Sequence, residues 1–547
     1  MVFIPRHWPA IRRFRRVGSG ADSLFHGTSL ARMAVAAAGM ALLMPLSAGA
    51  VQASDTLCLM TRADPDAPDG TATGHIPVMV NCLDIGLNGL QSRDFIIDTS
   101  MDGHTRVGFR ARPGSDPDLP PVVRAHLWRD DGTDLDLGTL GGQMSAALMV
   151  THDGTVAVGQ SETERGEMRA FRWSRKSGMQ TVEEWLNGTG TAHKVRGWKL
   201  QTAIAVSEDG DIIRGYGQDN GEAPQQWIAR RGSGLLGLRD MAGSVQANIA
   251  VHELALAQYN IFLHGLHGRP SLRRKGPGRY CAWSAGDIGH DGWGARDDLF
   301  GLGEMGFCWR PNGDVVASIS FGGRWLSRNL PLGGTMRQSG VIGASELQAR
   351  MGAPLGAPLW LTGTITLGWA DARMHRAYLN GGVVDVSSGR TDMWDIGFRG
   401  RVEWEGVMKG PGIALTPFAE FSISHSRMDG YREHGGGFPV RFDAMSETVR
   451  ELRGGLDLDA PISRQLSLHA TVEGVHRLEH HGRGMTGEVI GLFAFDSAKR
   501  NYERDWLRGS LGLDLRSGPG VLSVSINATT RGEAPSVWGT VGYQVSF

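Results

Sequence analysis

The sequence predicts an all-β chain in which a β-rich repeat segment and a connecting helix precede a twelve-stranded transmembrane β-barrel that holds the helix in its lumen. Three observations predict it. An Asp-Gly motif recurs in the first half at Asp102, Asp153 and Asp209, at intervals of 51 and 56 residues. From Arg279 onward apolar and polar residues alternate with period two, across connections sorted by length. The chain then stops on VGYQVSF, where Val541, Tyr543, Val545 and Phe547 alternate with Gly542, Gln544 and Ser546.

Composition sets the frame. The 547 residues suffice for two or three domains, and 79 glycines are roughly twice the usual share. Hydrophobic content is 41% and no run of 18 apolar residues stands out, which argues against membrane-spanning helices. Residues 1–53 carry six arginines and one aspartate. A total charge of −1 therefore leaves −6 for the remainder, no basic surface for nucleic acid.

The first 53 residues read as an export leader. A basic lead is followed by the apolar run Met33–Leu46 and then by small residues. Val51 and Ala53 suit the −3 and −1 positions of a cleavage site after Ala53, with Ala48 and Ala50 as the alternative. Export permits disulfides. By position Cys58 pairs with Cys82 and Cys281 with Cys308, while the lack of a Cys-x-x-Cys spacing argues against metal.

Residues 54–240 read as a repeat segment. One copy has SMDGHTRVG (Ser100–Gly108) and then RAHLW, ending at Trp128. The next has THDGTVAVGQS (Thr151–Ser161) and RAFRW, ending at Trp173. A weaker third has SEDGDIIRGYGQ (Ser207–Gln218) and QQWIA (Gln225–Ala229). Each predicts a strand, an Asp-Gly turn, an apolar strand near a glycine, and a strand ending in Trp. Three such blade-like units are too few to close a propeller, so an open stack or incomplete arc is expected. Asp102, His104, His152, Asp153 and Asp209 could be imagined as metal ligands, but the set does not recur in every unit and a turn explains Asp-Gly. The wording LGTLGG…SAA…DG…AVGQS followed by RAFRW resembles the HAF repeat of extracellular bacterial proteins. That resemblance covers Ser100–Ala229 and implies surface exposure without a known chemistry.

Residues 241–278 contain the connecting helix. Ser244 to about His267 is rich in helix formers and stops before Pro270. About 23 residues span ~34 Å, enough to cross a membrane, yet Gln246, Asn248, His252 and Glu253 suit a polar lumen rather than lipid.

The barrel is placed at 279–547, with strands starting near Cys281, Phe300, Val315, Ser339, Leu359, Trp394, Ala414, Glu451, Gln465, Trp506, Val521 and Val537. Alternation alone suits a sandwich as well. The connections decide, because short Gly/Pro turns (RPNGD, GAPLGAP, EGVMKGPG, DAPISRQ, RSGPG) alternate with mostly longer, polar ones such as 425–444 and 476–505. Sorting by parity with an even strand number is the habit of an outer-membrane barrel. The terminal strand then closes the wall, with Val541, Tyr543, Val545 and Phe547 facing lipid. Cys281 and Cys308 are symmetric about position 294.5, which predicts a cross-strand disulfide.

The arrangement resembles a type V autotransporter, with export leader, repeat passenger, linker helix and translocator barrel. The resemblance implies an outer-membrane location with the passenger at the cell surface. The implied partners are outer-membrane lipid, the general secretion machinery, and a barrel-assembly machinery that reads the terminal Phe547 strand. A monomeric barrel, an unidentified extracellular ligand and no cofactor are expected. Two other functions fit the sequence less well. A passenger hydrolase lacks support because residues 54–100 show no Gly-Asp-Ser block and no Gly-x-Ser-x-Gly elbow occurs. A pore plugged by the helix would need no exported repeat domain. HRLEHH (His476–His481) has zinc-protease spacing, but it ends a strand rather than lying on a helix.

Overall fold

Side-chain turns organise the first half of the chain and lipid-facing alternation the second. The computed structural model describes residues 2–5, 57–63, 75–81, 92–113, 121–188, 195, 197–264, 266–291, 298–410, 412–497, 499–530 and 534–547. The export leader and its cleavage position at Ala53 lie outside these residues, apart from Val2–Pro5, a short strand paired with Phe493–Asp496. Cys58 lies on the strand Leu57–Ala63, but Cys82 is outside the described residues, and so is their pairing. The chain divides into two compact units. One contains 217–547 with 186–199, and the other contains the repeat residues up to 185 with 200–216.

Each repeat is a four-strand run. The first runs Arg93–Thr99, Thr105–Arg112, Val122–Arg129 and Asp134–Gly138. The second runs Gly141–Val150, Val156–Thr163, Met168–Ser174 and Gly178–Thr181. The third has Trp198–Val206, Ile212–Asp219, Gln225–Arg230 and Gly234–Gly237. The same side-chain turn joins the first two strands of every run. Thr151 Oγ1 donates to Asp153 (2.6 Å) and accepts from Val156 N (3.0 Å), while Asp153 accepts from Thr155 N (3.0 Å). Ser100 with Asp102, and Ser207 with Asp209, repeat these bonds. An Asx/ST turn fixes the hairpin register.

The glycine after the turn has a packing reason. A Cβ on Gly159 would lie 2.0 Å from Ala146 O and 2.9 Å from the Phe171 ring, and one on Gly108 would lie 1.8 Å from Phe95 O. Neighbouring backbone and rings occupy that space. The core beneath joins Val107, Ala125, Leu127, Ala157, Phe171 and Trp173.

Twelve strands form the second half: β1 Tyr280–Asp291, β2 Asp298–Asn312, β3 Val315–Asn329, β4 Thr335–Gly352, β5 Leu359–Asn380, β6 Val383–Trp404, β7 Ile413–Met428, β8 Met445–Pro461, β9 Leu466–Arg477, β10 Asp505–Ser517, β11 Gly520–Thr529 and β12 Val537–Ser546. Each pairs antiparallel with the next, and β12 returns to β1, from Cys281 opposite Ser546 to His290 opposite Val537. Tyr280 and Phe547 exchange both backbone hydrogen bonds at 2.9 Å, so the last residue seals the seam.

The wall is inside out relative to a soluble core. Outward positions carry Ile319, Phe321, Ile365, Leu367, Val524 and Ile526, all between 45% and 65% exposed. Inward positions carry Thr362, Thr364, Thr366, Arg399, Arg401 and Glu403, all buried. Aromatics mark the edges of the apolar band: Trp325, Trp369 and Trp394 towards the long loops, and Tyr280, Trp309, Tyr543 and Phe547 towards the short turns. Beyond Trp369 the outward positions become charged, with Arg373 and Arg390 both paired to Asp371. Along β6 the outward run from Trp394 to Trp404 corresponds to ~25 Å of height for a tilted strand, the thickness of an outer-membrane apolar band. Val541, Tyr543 and Phe547 are 47–58% exposed, and Val545 follows the same outward parity.

Three expectations need correction. The sixth strand begins at Val383 rather than near Trp394, because β5 and β6 stay paired over all 22 residues and turn through only Gly381 and Gly382. The connections 429–444 and 478–504 are not simply polar loops. They contribute strands Tyr431–Arg432, Val440–Phe442, Thr486–Val489 and Phe493–Asp496 to one small sheet, which buries Phe438, Phe442, Met485 and Phe495. The connecting helix starts at Leu238, before Ser244, because Leu238, Met241 and Val245 are buried apolar anchors.

Replacing Val524 by Arg separates the two environments an outward residue could occupy. On a water-facing surface the change is nearly neutral, whereas in lipid it costs ~2–4 kcal/mol near the midplane. Denaturant titration of the chain folded into lipid vesicles is expected to show the larger loss.

Candidate functional site in the barrel lumen

The lumen is threaded from one rim to the other by residues 238–279. At the long-loop rim Arg376, at the outer part of β5, is fully buried. It donates to Glu433 (2.7 Å), Phe438 O (2.9 Å) and Ser244 Oγ on the first turns of the helix (3.0 Å). Asn380, the last residue of β5, donates to Ser233 O and accepts from Leu235 N. Arg230 donates to Ile490 O (2.9 Å) in the neighbouring loop sheet. The entry of the helix is therefore fixed by side chains from the strand ends and loops around it.

The helix Leu238–His264 does not run the full depth of the barrel. Its last carbonyls, which have no partner within a helix, are taken up by arginines of the wall. Arg399 donates to Leu263 O (2.6 Å) and His267 O (3.0 Å), and Arg508 donates to His264 O. The chain then makes a short turn at Leu266–Gly268 and a last helical turn at Ser271–Arg274. Arg310 of β2 donates to the carbonyls of Lys275, Gly276, Pro277 and Tyr280 at 3.1–3.2 Å, leading the chain into β1.

Glu346 on β4 is the hub of the interior. It accepts from Arg273 (2.8 Å), Arg399 (3.1 Å), Gln348 (2.9 Å) and Thr364 (3.1 Å), with His267 Nδ1 at 3.5 Å. The other ring nitrogen of His267 lies 3.0 Å from Glu304, which also accepts from the Trp283 indole. Around the hub run further pairs: Arg274–Glu403 (2.9 Å), Arg401–Asp457 (2.6 Å), Arg269–Asp514 (2.8 Å) and Arg453 with both Glu451 and Glu473 (2.8 Å each). Removing such charges from bulk water is costly, and each stands because an opposite charge and hydrogen bonds meet it. Beside Gly268, Arg269 and Arg508 the packing leaves a cavity of ≈ 20 Å³, enough for a water molecule and not for a chain.

Among the residues singled out in the sequence, Cys281 and Cys308 stand opposite each other on β1 and β2 and are disulfide-bonded, with Cα atoms 4.9 Å apart. The imagined metal ligands are dispersed. Asp102, Asp153 and Asp209 serve their own turns, and His104 lies 3.2 Å from Asp130. Hydrogen bonds from Ser100 Oγ and His104 N hold the Asp102 carboxyl below its usual range. Burial pushes Asp153 up, but its bonds from Thr151 and Thr155 outweigh that and lower it as well. His476 ends β9 and pairs with Asp505 (2.7 Å), so HRLEHH forms no helical ligand set. Among the described residues no cluster of three His, Cys, Asp or Glu is placed to hold a metal.

Period-two alternation puts Arg399, Arg401 and Glu403 in its polar half, but no local pattern singles out Glu304, His267 or Glu346. A signal existed. The basic run Arg269, Arg273, Arg274 and Lys275 follows the helix, and acids recur at inward positions of the strands.

Residues 291–529 match the family model described as "Autotransporter beta-domain". Among solved structures, the translocator domain of the autotransporter NalP from Neisseria meningitidis is 15% identical, covering 55% of this chain and 99% of that one with a TM-score of 0.44. The β-domain of the Bordetella autotransporter BrkA is 18% identical, covering 50% and 100% with a TM-score of 0.35. The transport unit of AIDA-I from Escherichia coli is 10% identical, covering 54% and 99% with a TM-score of 0.31. No curated protein matches the chain. The family match supports an outer-membrane translocator barrel of the type V autotransporter class in this part of the chain.

Two measurements probe these interactions. Glu346→Gln removes the carboxylate facing Arg273 and Arg399, and breaking a buried charge network of this kind costs about 3–5 kcal/mol. Heat-modifiable migration of the folded barrel on gels is expected to be lost at a lower temperature. In the repeat segment Glu183 lies in the capping box of the helix Val182–Leu186, where Thr181 and Glu184 bond reciprocally. Burial pushes the Glu183 carboxyl up despite a hydrogen bond from Leu200 N (3.1 Å), and its Oε2 has no partner. A folded value above the unfolded one makes the ionised form unfavourable to folding. The penalty is absent below the usual glutamate range and complete above the shifted value. Glu183→Gln should slow amide exchange across Val182–Leu186 at pH 7 and leave it nearly unchanged at pH 4.

Proposed function

We propose that the chain is an outer-membrane autotransporter whose barrel delivers and then anchors a surface-exposed HAF-like repeat passenger that binds an extracellular ligand. The observation that carries this reading is the combination of an apolar wall between two aromatic edges with a charged lumen threaded by the segment joining repeat and barrel. With twelve strands both barrel ends lie on the short-turn side, so the helix leaves through the long-loop rim. If the short turns face the periplasm, as in other barrels of this kind, the repeats emerge outside the cell.

On this reading the leader is handled by the general secretion machinery, and the terminal strand with Val541, Tyr543, Val545 and Phe547 is read by the barrel-assembly machinery. The barrel is a monomer in outer-membrane lipid. The passenger acts by binding rather than catalysis, and it stays attached. The ion pairs that join the threaded segment to the wall weigh against the pore reading. A hydrolase reading has no nucleophile block in the sequence to support it, and no nucleic acid or cofactor is invoked.

Protease treatment of intact cells tests the proposal. An epitope within 93–230 should disappear while the barrel from Tyr280 onward survives as a protected fragment. Protection of the epitope until the cells are lysed would refute surface display.

A further inference from the structure

The short-turn rim of the barrel is not uniform. Between β2 and β3, and between β10 and β11, the turn regions are polar, with Asn312, Asp314, Arg516 and Ser517 exposed. The three turns between them, at 353–358, 405–410 and 462–465, follow one another around the rim and present apolar groups beside Glu405 and the exposed Arg464. Leu355 is 86% exposed, Ile462 61% and Met408 50%, with Met351 at 63% on the adjoining end of β4. The stretch 351–358, MGAPLGAP, contains no charged residue. Leu355 adopts φ 54°, a left-handed conformation that disfavours a bulky side chain, although Gly356 stands next to it. The turn thus holds a leucine out from the rim where it touches little of the protein.

The direction of these turns is set by the wall. Trp404 occupies an outward position at the end of β6, and its indole N–H donates to Pro354 O and Ala357 O, both at 3.2 Å. The turn 353–358 is therefore gathered against the outer face of the barrel. Met408 lies directly opposite Leu415 in a small hairpin extension, and Leu415 shares its parity with the outward Phe421. These apolar groups continue the lipid-facing band beyond the ends of the strands. On the opposite side the band ends at the strand termini, at the contacts of Tyr280 with Phe307 (5.7 Å) and Phe547 (6.2 Å).

We propose that Leu355, Met408 and Ile462, with the turns that carry them, are seated in the lipid at the near boundary of the membrane, which they anchor on one side of the barrel only. The occupant of the patch is lipid, because the patch is continuous with the apolar band and Trp404 joins the two. An indole whose N–H is bonded while its ring faces outward suits that boundary. This inference rests on the membrane reading proposed above.

The test uses full-length protein reconstituted in lipid vesicles, with a single nitroxide label placed through Leu355→Cys, Met408→Cys or Ile462→Cys. Asn312→Cys and Ser517→Cys serve for the polar side and Ile365→Cys for the middle of the band. Collision with oxygen, which concentrates in lipid, is compared with collision with a water-soluble nickel chelate. Labels at 355, 408 and 462 should favour oxygen like the label at 365, and labels at 312 and 517 should favour nickel. If 365 reports lipid while 355, 408 and 462 report water, the inference falls and the membrane reading stands. If 365 itself reports water, the membrane reading fails. Labels at the three turns that are aqueous in vesicles but shielded in native cell envelopes would assign the patch to a protein partner and overturn the lipid assignment.

Discussion

Backbone closure is the constraint on which the rest of this structure depends. A sheet surrounded by hydrocarbon has no water to pair its edge groups, so every amide of the first and last strands must find the other. The register from Cys281–Ser546 to His290–Val537 meets that demand, and the exchange between Tyr280 and Phe547 carries it to the final residue. Once the wall is closed, period-two alternation can only sort side chains into lipid and lumen. The terminal Phe547 is then a structural part of the seam and not a frayed end.

Closure creates a second problem, an interior lined by charged groups that are buried away from bulk water. The chain solves it with its own linker. Arg269, Arg273 and Arg274 on the threaded segment meet Asp514, Glu346 and Glu403 on the wall, while the wall arginines 399 and 508 meet the helix carbonyls. Each half of the network leaves the other unsatisfied if it is removed, so barrel and linker are stable as a pair. A lumen without its segment would have to be hydrated and less tightly packed.

Much of the fold was legible because its causes are local. Eleven of the twelve strand starts lie within six residues of their expected positions, since alternation and Gly/Pro turns act over a few residues. The Cys281–Cys308 bond followed from hairpin symmetry. The long β5–β6 hairpin was misread because Gly381 and Gly382 make a quieter signal than the charged stretch beside them, and pairing along 22 residues depends on the partner strand. The small sheet over the long-loop rim joins segments some fifty residues apart, which no single-segment pattern records. The hub at Glu346 was invisible for the same reason. Its partners come from a helix, a turn and two other strands, and only the closed barrel brings them together.

The covalent rung between β1 and β2 has a consequence for how the wall can yield. Cys281 and Cys308 face the lumen close to the short-turn rim, so these two strands can neither slip in register nor part from one another under oxidising conditions. Any transient widening of the cylinder must be taken up at another joint, and the hydrogen-bonded contact of β12 with β1 begins beside this stiffened post. The disulfide thereby makes one staple of the hoop permanent, whereas the adjoining clasp is held by hydrogen bonds alone.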